Sequence, residues 1–259
     1  MDKRGERLTK IIDALKISNA VTIGELAGRL GVSSMTVRRD LSILAEDNAV
    51  KLMHGAAVLN PGSSIYSKTS PYSLTSEGTR RADEKMRIGQ KAASLIEAGD
   101  TIVIDSGSTT EYLAKNLSDQ IEITVLCYAL NILVEIYRKK ECRLIFAGGY
   151  FHDNTLMFES REGVALIRQN RVVKAFISAV GVSDKLGVTC GNPYEVETKK
   201  AVIDSSLTKI LMADSSKIGK IHSAYFADLS EFDVLITDNG ISGEYRKILN
   251  TLDITLYTV

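Results

Sequence analysis

Residues 21–57 read VTIGELAGRLGVSSMTVRRDLSILAEDNAVKLMHGAA. Two short amphipathic runs flank a tight turn, and the second run carries paired arginines. Ile23, Leu26, Ala27 and Leu30 share one face at helical spacing. Gly31 supplies a backbone conformation that a residue with Cβ resists, and the hydroxyl of Ser33 or Ser34 can cap the next helix. Val37, Leu41 and Leu44 form that helix's apolar stripe. Met35, Thr36, Arg38 and Arg39 fall off the stripe or at its edge. Val50–Ala57 reads as a short β-ribbon, a wing. The spacing predicts a winged helix-turn-helix whose second helix enters the major groove of double-stranded DNA. Ser33, Ser34, Met35, Thr36, Arg38 and Arg39 are its DNA-contacting candidates, joined by His54 in the wing for a phosphate. The wing and the paired arginines argue against a helical hairpin that only packs.

The remaining 200 or so residues bound the alternatives. The chain has 259 residues, of which 44% are hydrophobic and 25% charged, so one or two packed domains are expected. Its formal net charge is +0, unlike a chain that does nothing but bind nucleic acid. Residues 1–60 carry nine Lys and Arg against seven Asp and Glu, so a weak positive bias sits where DNA contact is expected. Cys127, Cys142 and Cys190 are odd in number and far apart, and His54, His152 and His222 lack metal-ligand spacing. No metal and no cofactor is expected, and the setting reads as reducing and cytoplasmic. The N-terminal residues lead into no apolar signal segment, and no apolar run approaches the ~20 residues of a membrane span.

Arg4–Ser18 reads as a helix with Leu8, Ile11, Ile12 and Leu15 inward, and Arg4, Arg7 and Lys10 face either phosphates or solvent. Residues 60–81 are rich in Ser, Thr, Gly and Pro and read as a linker. The expected division is a DNA-binding domain over 1–58, a linker over 59–80 and a second domain over 81–259. In that second domain, helices with apolar stripes alternate with the short apolar runs 101–104, 123–127, 143–147, 173–179, 208–213 and 234–237. Such alternation predicts a mostly parallel α/β sheet covered on both faces, with ligands at the carboxyl ends of its strands.

The loops at those ends carry the candidate chemistry. Asp105-Ser106-Gly107-Ser108-Thr109-Thr110 lies between a strand and a helix, where backbone N–H groups and hydroxyls suit an anion. With no lysine closing the loop it is not a nucleotide P-loop, and a phosphate monoester fits better. Gly148-Gly149 lets backbone approach a ligand. Lys217, in Asp214-Ser215-Ser216-Lys217, offers a cation with Asp214 to orient it. Glu195 and Lys199 stand one helical turn apart and read equally as a simple ion pair.

These motifs together resemble the DeoR family of bacterial sugar-metabolism regulators. The resemblance rests on Arg7, Ile11, Leu15, Ser33 and Thr36–Leu41, and on the wing His54-Gly55-Ala56-Ala57, where the family has H-G-G-A. In the second domain it rests on Asp105–Thr110, Gly148-Gly149, Ala175-Phe176-Ile177, Gly187-Val188-Thr189 and Asp214–Lys217. It implies an α/β sensor domain resembling ribose-5-phosphate isomerase and coenzyme A transferase folds, oligomerisation to a dimer or tetramer, and a phosphorylated sugar as effector. Tyr128, Gly181, Glu195 and Lys199 join the loop residues as candidate effector contacts. Cys127–Asn131, Gly148–His152 and Thr189–Asn192 resemble the family's deoxyribonucleoside branch, which makes deoxyribose 5-phosphate a candidate. The rival reading is a sugar-phosphate isomerase with an appended DNA-binding domain. It requires a positioned general base, for which Glu195 is the one obvious candidate.

Overall fold

The computed structural model describes residues 3–17, 20–46, 50–53, 55–59 and 74–259. The chain forms two compact units, Met1–Ser70 and Pro71–Val259. The first contains α1 (Lys3–Ile17), β1 (Ala20–Thr22), α2 (Ile23–Leu30), α3 (Ser34–Glu46), β2 (Val50–Met53) and β3 (Ala56–Leu59). Thr22 and Glu25 form a reciprocal capping box that starts α2, with the Glu25 N–H donating to Thr22 Oγ1 at 3.2 Å and the Thr22 N–H to Glu25 Oε2 at 2.9 Å. Gly31, at φ +64°, ends the helix in the left-handed region. The predicted stripes meet in one core, where Ile11, Leu15, Leu26, Val37, Leu41 and Leu44 are buried. The wing is real: β3 pairs antiparallel with β2 on one side and β1 on the other.

The second unit opens with the short helix α4 (Leu74–Gly78), inside the stretch expected to be linker, then α5 (Ala82–Ala93). Next come β4 (Thr101–Ile104), α6 (Ser108–Asn116), β5 (Ile123–Cys127), α7 (Leu130–Ile136), β6 (Cys142–Phe146), β7 (Tyr150–His152), β8 (Met157–Glu159) and α8 (Arg161–Gln169). The chain continues through β9 (Val172–Ser178), β10 (Gly181–Ser183), β11 (Gly187–Cys190), α9 (Val196–Asp204), β12 (Ser206–Met212), β13 (Ala224–Ala227), β14 (Val234–Thr237), α10 (Gly243–Thr251) and β15 (Thr255–Thr258).

Seven strands form one sheet in the order β15-β14-β12-β9-β4-β5-β6, and every pairing in it is parallel. Strand alternation sends Val103, Ala175, Ile177, Leu211 and Leu235 to one face, packed with α8, α9 and α10. Ile102, Ile104, Phe176, Ile210 and Met212 go to the other, packed with α5, α6 and α7. The two faces are filled by different halves of the sequence because the connections reverse direction. From β4 the chain steps outward through β5 to β6, then returns to the far side of β4 and steps outward through β9, β12 and β14. Right-handed crossovers therefore place helices on opposite faces, and the carboxyl ends of β4 and β9 form the switch point where such sheets take ligands. A small antiparallel sheet, β10-β11-β13, and the β7–β8 hairpin complete the unit. Among the described residues, no helix is long and apolar enough to cross a membrane.

Candidate DNA interface and effector site

In the first unit, Ser33 rather than Ser34 caps α3. Its Oγ accepts from the Thr36 N–H at 3.2 Å and lies 2.9 Å from Thr36 Oγ1. Thr36 is thereby partly committed to the cap. Burial of Val37, Leu41 and Leu44 turns the opposite side of α3 outward, so Ser34, Met35, Arg38 and Arg39 are exposed. Met35 is 67% exposed, an apolar side chain suited to a thymine methyl group. Among the described residues neither Arg38 nor Arg39 forms an ion pair. Arg7, weighed above as a phosphate contact, is instead spent on the buried Asp40: Nε meets Oδ2 at 2.5 Å and an Nη donates to Oδ1 at 3.0 Å. Asp40 so ties α1 to the recognition helix, a structural use for the residue that follows the two arginines. His54 lies outside the described residues.

In the second unit, the anion loop follows β4 at the switch point. The N–H groups of Ser108, Thr109 and Thr110 open α6, with no preceding turn to bond. Gly107 is required by crowding: a Cβ there would sit 2.6 Å from Ser178 Oγ at the end of β9. The hydroxyl of Thr110 turns inward to the carbonyls of Asp105 (2.7 Å) and Gly107 (3.1 Å), and the Ser106 carbonyl accepts from Ser178 Oγ at 2.6 Å. Loop and strand end are thus cross-braced.

Asp105 lies beneath this loop rather than in it. Its fully buried carboxylate accepts from the Tyr128 hydroxyl, from Ser178 N–H and Oγ at 2.8 and 2.9 Å, and from Lys199 Nζ at 2.5 Å. Burial, reinforced by Asp105, pushes the Tyr128 phenol well above its usual range. Burial alone would lower Lys199, but Asp105 and Glu195 outweigh it and hold the ammonium above its ordinary value. Glu195 is shifted up, chiefly by burial, although Lys199 and hydrogen bonds from Asn192 oppose this. Its Oε1 accepts from the Asn192 N–H and side-chain amide at 2.8 and 2.9 Å. Cys190 beside them is pushed up to about 12 by burial and Glu195. The sequence placed Asp105, Tyr128, Glu195 and Lys199 among ligand contacts. The structure gathers them as a buried network that holds the loop in place.

The turn after β12 is organised differently from expectation. Asp214 does not orient Lys217. It caps its own turn, accepting from the Ser216 N–H at 3.0 Å. Lys217 Nζ pairs with Glu77 Oε2 at 2.6 Å. Arg81 braces the same turn, reaching Ser215 Oγ at 3.0 Å, Asp214 at 3.4 Å and Asp238 at 3.1 Å. Two predicted glycine contacts serve packing. A Cβ on Gly149 (φ +151°) would meet the Glu159 carbonyl oxygen at 2.3 Å, and one on Gly181 the Lys220 carbonyl oxygen at 2.7 Å. Gly148-Gly149 also follows β6, at the sheet edge two strands from β4.

Four residues at these strand ends were not singled out from sequence: Glu77, Arg81, Asn131 and Ser178. Asn131 stands out chemically. Its amide donates to Glu111 Oε2 at 3.1 Å and the Gly107 carbonyl at 3.3 Å, while its Oδ1 is buried without a hydrogen-bond partner among the described residues. A spare acceptor beside an anion loop suits a hydroxyl-bearing ligand.

Residues 7–62 match the DeoR-like helix-turn-helix domain family, and residues 80–239 match the DeoR C terminal sensor domain family. The deoxyribose operon repressor of Escherichia coli (strain K12) is 33% identical over 254 residues, covering 98% of each chain. The HTH-type transcriptional repressor GlcR of Bacillus subtilis (strain 168) is 32% identical over 233 residues, 90% of this chain and 88% of that one. Among solved structures, ribose 5-phosphate isomerase A from Methanocaldococcus jannaschii overlays 53% of this chain and 54% of its own at a TM-score of 0.40 and 16% identity, a likeness too loose to argue from.

Proposed function

This chain belongs to the DeoR family of transcriptional regulators, and from that premise we propose that it represses a sugar or nucleoside catabolic operon and is released by a phosphorylated sugar. It is a DNA-binding regulator and not an enzyme, as its relatives are named repressors and regulators. The buried, doubly hydrogen-bonded Glu195 also offers no open general base for an isomerase.

On the DNA side, Ser34, Met35, Arg38 and Arg39 read the major groove, Ser33 and Thr36 set the start of the recognition helix, and His54 is kept from the sequence as a phosphate contact. One winged module makes a small interface, so the second unit, residues 71–259, self-associates and presents two modules to half-sites about one helical turn (~34 Å) apart, or a multiple of that.

On the effector side, the observation that carries the reading is the loop at the switch point. Three N–H groups open α6 there, and the Asn131 side chain reaches the Gly107 carbonyl of the same loop at 3.3 Å; Lys217 is linked to this loop through Glu77 of α4, which packs beside α6. The N–H groups and Lys217 suit a phosphate and Asn131 suits a sugar hydroxyl. Similarity to the E. coli deoxyribose operon repressor favours deoxyribose 5-phosphate. The test is thermal unfolding with deoxyribose 5-phosphate and ribose 5-phosphate, together with operator gel shifts. Effector at 100 times its Kd should add about 2.7 kcal/mol and release the operator, and Lys217→Ala should lose both effects. Unchanged melting with every sugar phosphate would sink the effector reading and leave the DNA-binding one standing.

A further inference from the structure

We propose that Glu77 is the effector site's resident anion: its carboxylate occupies Lys217 until a phosphate takes that place, and its release frees the segment leading to the DNA-binding unit. The inference rests on the effector reading above and adds the means by which binding is felt.

Among the described residues, the shielded cations near these strand ends are committed. Lys199 is committed to Asp105, and Arg81 to Asp214, Asp238 and Glu84. Lys217 is committed to Glu77 at 2.6 Å, with both side chains largely shielded, at 18% and 11% exposure. A phosphate monoester, at about −1.5 to −2 charge, therefore meets a carboxylate already on its lysine. Two anions on one shielded ammonium repel each other, so the two compete.

The carboxylate is also a fastener. Glu77 sits in α4, the first described element of the second unit, which packs beside α6, whose first turn forms the anion loop. Besides the Glu77–Lys217 pair, α4 is held by the buried Lys85 ammonium on the Glu77 carbonyl at 2.5 Å and by the Leu74 N–H on the Asn154 carbonyl at 2.8 Å. A five-residue helix has no stability of its own. Among the described residues Glu77 pairs otherwise only with the exposed Arg80, at 3.0 Å, so displacing it removes its well-shielded ion pair, while Arg81, fixed at φ +52° and braced on the sheet, anchors the chain just beyond. The loosened part is thus residues 74–80, which follow the DNA-binding unit in sequence. The effector then binds the fastened and released states unequally, as any shift in operator affinity requires.

The full-length protein tests this with Glu77→Gln, Glu77→Asp and Lys217→Ala. Titration calorimetry measures deoxyribose 5-phosphate and ribose 5-phosphate affinity, and trypsin cleavage after Arg80 reports on α4. Glu77→Gln should bind the sugar phosphate at least about fivefold tighter than the parent, with Glu77→Asp between the two. Cleavage after Arg80 should be slow in the parent, hastened by sugar phosphate, and already fast in unliganded Glu77→Gln. Effector binding that needs Lys217 but is unchanged or weaker in both Glu77 variants overturns the inference and leaves the effector reading intact. Binding absent in the parent and in every variant overturns both.

Discussion

Replacing Lys199 by methionine tests whether the anion loop rests on the buried network below it. The substitution keeps an unbranched stem of similar length and removes the ammonium 2.5 Å from Asp105 Oδ2. Removing one partner of a buried ion pair costs about 3–5 kcal/mol. Asp105 retains three donors, the Tyr128 hydroxyl and the N–H and Oγ of Ser178, which puts the loss near the lower end, about 3 kcal/mol. For a unit spanning residues 71–259, each kcal/mol moves the melting temperature by roughly 2–4 °C, so the fall should be roughly 6–12 °C. Scanning calorimetry suits the measurement, because it follows the transition in which the larger unit unfolds. Lys199 has a folded pKa above its unfolded value of about 10.4. Its contribution is therefore full below that value and lost only as pH rises through the higher folded one, so the deficit should be flat from about pH 6 to 9. Asp105→Asn in the Lys199→Met background should recover part of the loss, since it removes the stranded charge. A single variant within about 1 kcal/mol of the parent, or a double variant worse than the sum of the singles, would refute the reasoning.

Three further outcomes follow from other parts of the molecule. Glu195 has a folded pKa raised by burial, so its contribution is full below the unfolded value of about 4.3 and is lost as pH rises through the folded one. The stability of the parent relative to Glu195→Gln should therefore decline between acid and neutral pH, and a calorimetric series showing it rise contradicts the assignment. Gly31→Ala meets open space but must adopt φ +64°, so the first unit should lose about 1–2 kcal/mol, read from its own melting transition. Arg38→Ala and Arg39→Ala separate by salt titration of operator binding. The arginine that reads a base should cost about 1–3 kcal/mol and relax sequence preference, while one that holds a phosphate should lower the salt slope by about 1.

The parts legible from sequence were those with a long enough period. The helix-turn-helix stripes and the apolar strands β4, β5, β6, β9, β12 and β14 follow from apolar spacing alone. The small sheet β10-β11-β13 escaped because its strands, unlike the equally short but Ile/Val/Leu-rich β4 and β14, are made largely of Gly, Ser, Thr, Cys and Ala. Helix α4 escaped for a related reason: five residues in a Ser/Thr/Gly/Pro-rich stretch carry no period, so composition reads as linker. Asp105 and Lys199 were named from sequence, but their burial and their pairing were not. A carboxylate heading a Gly/Ser/Thr loop reads as exposed polar chemistry. Only the fold brings a lysine 94 positions away onto it and closes both from water. Asp214 was paired with Lys217 because they are neighbours in sequence, whereas Glu77, 140 positions earlier, takes the lysine in space.

The parallel sheet also dictates an order of assembly on the ribosome. Strand β4 gains its neighbour β5 within about 25 residues of further synthesis, but its other neighbour, β9, is not complete until Ser178. The Asp105 carboxylate must wait longer still, for Lys199. During that interval the first unit, whose core closes entirely within residues 11–57, can already be folded. A nascent chain should thus carry a finished DNA-reading module well before its second unit can close. The long delay between β4 and β9 is the stage at which a truncated or stalled product would expose its apolar sheet face.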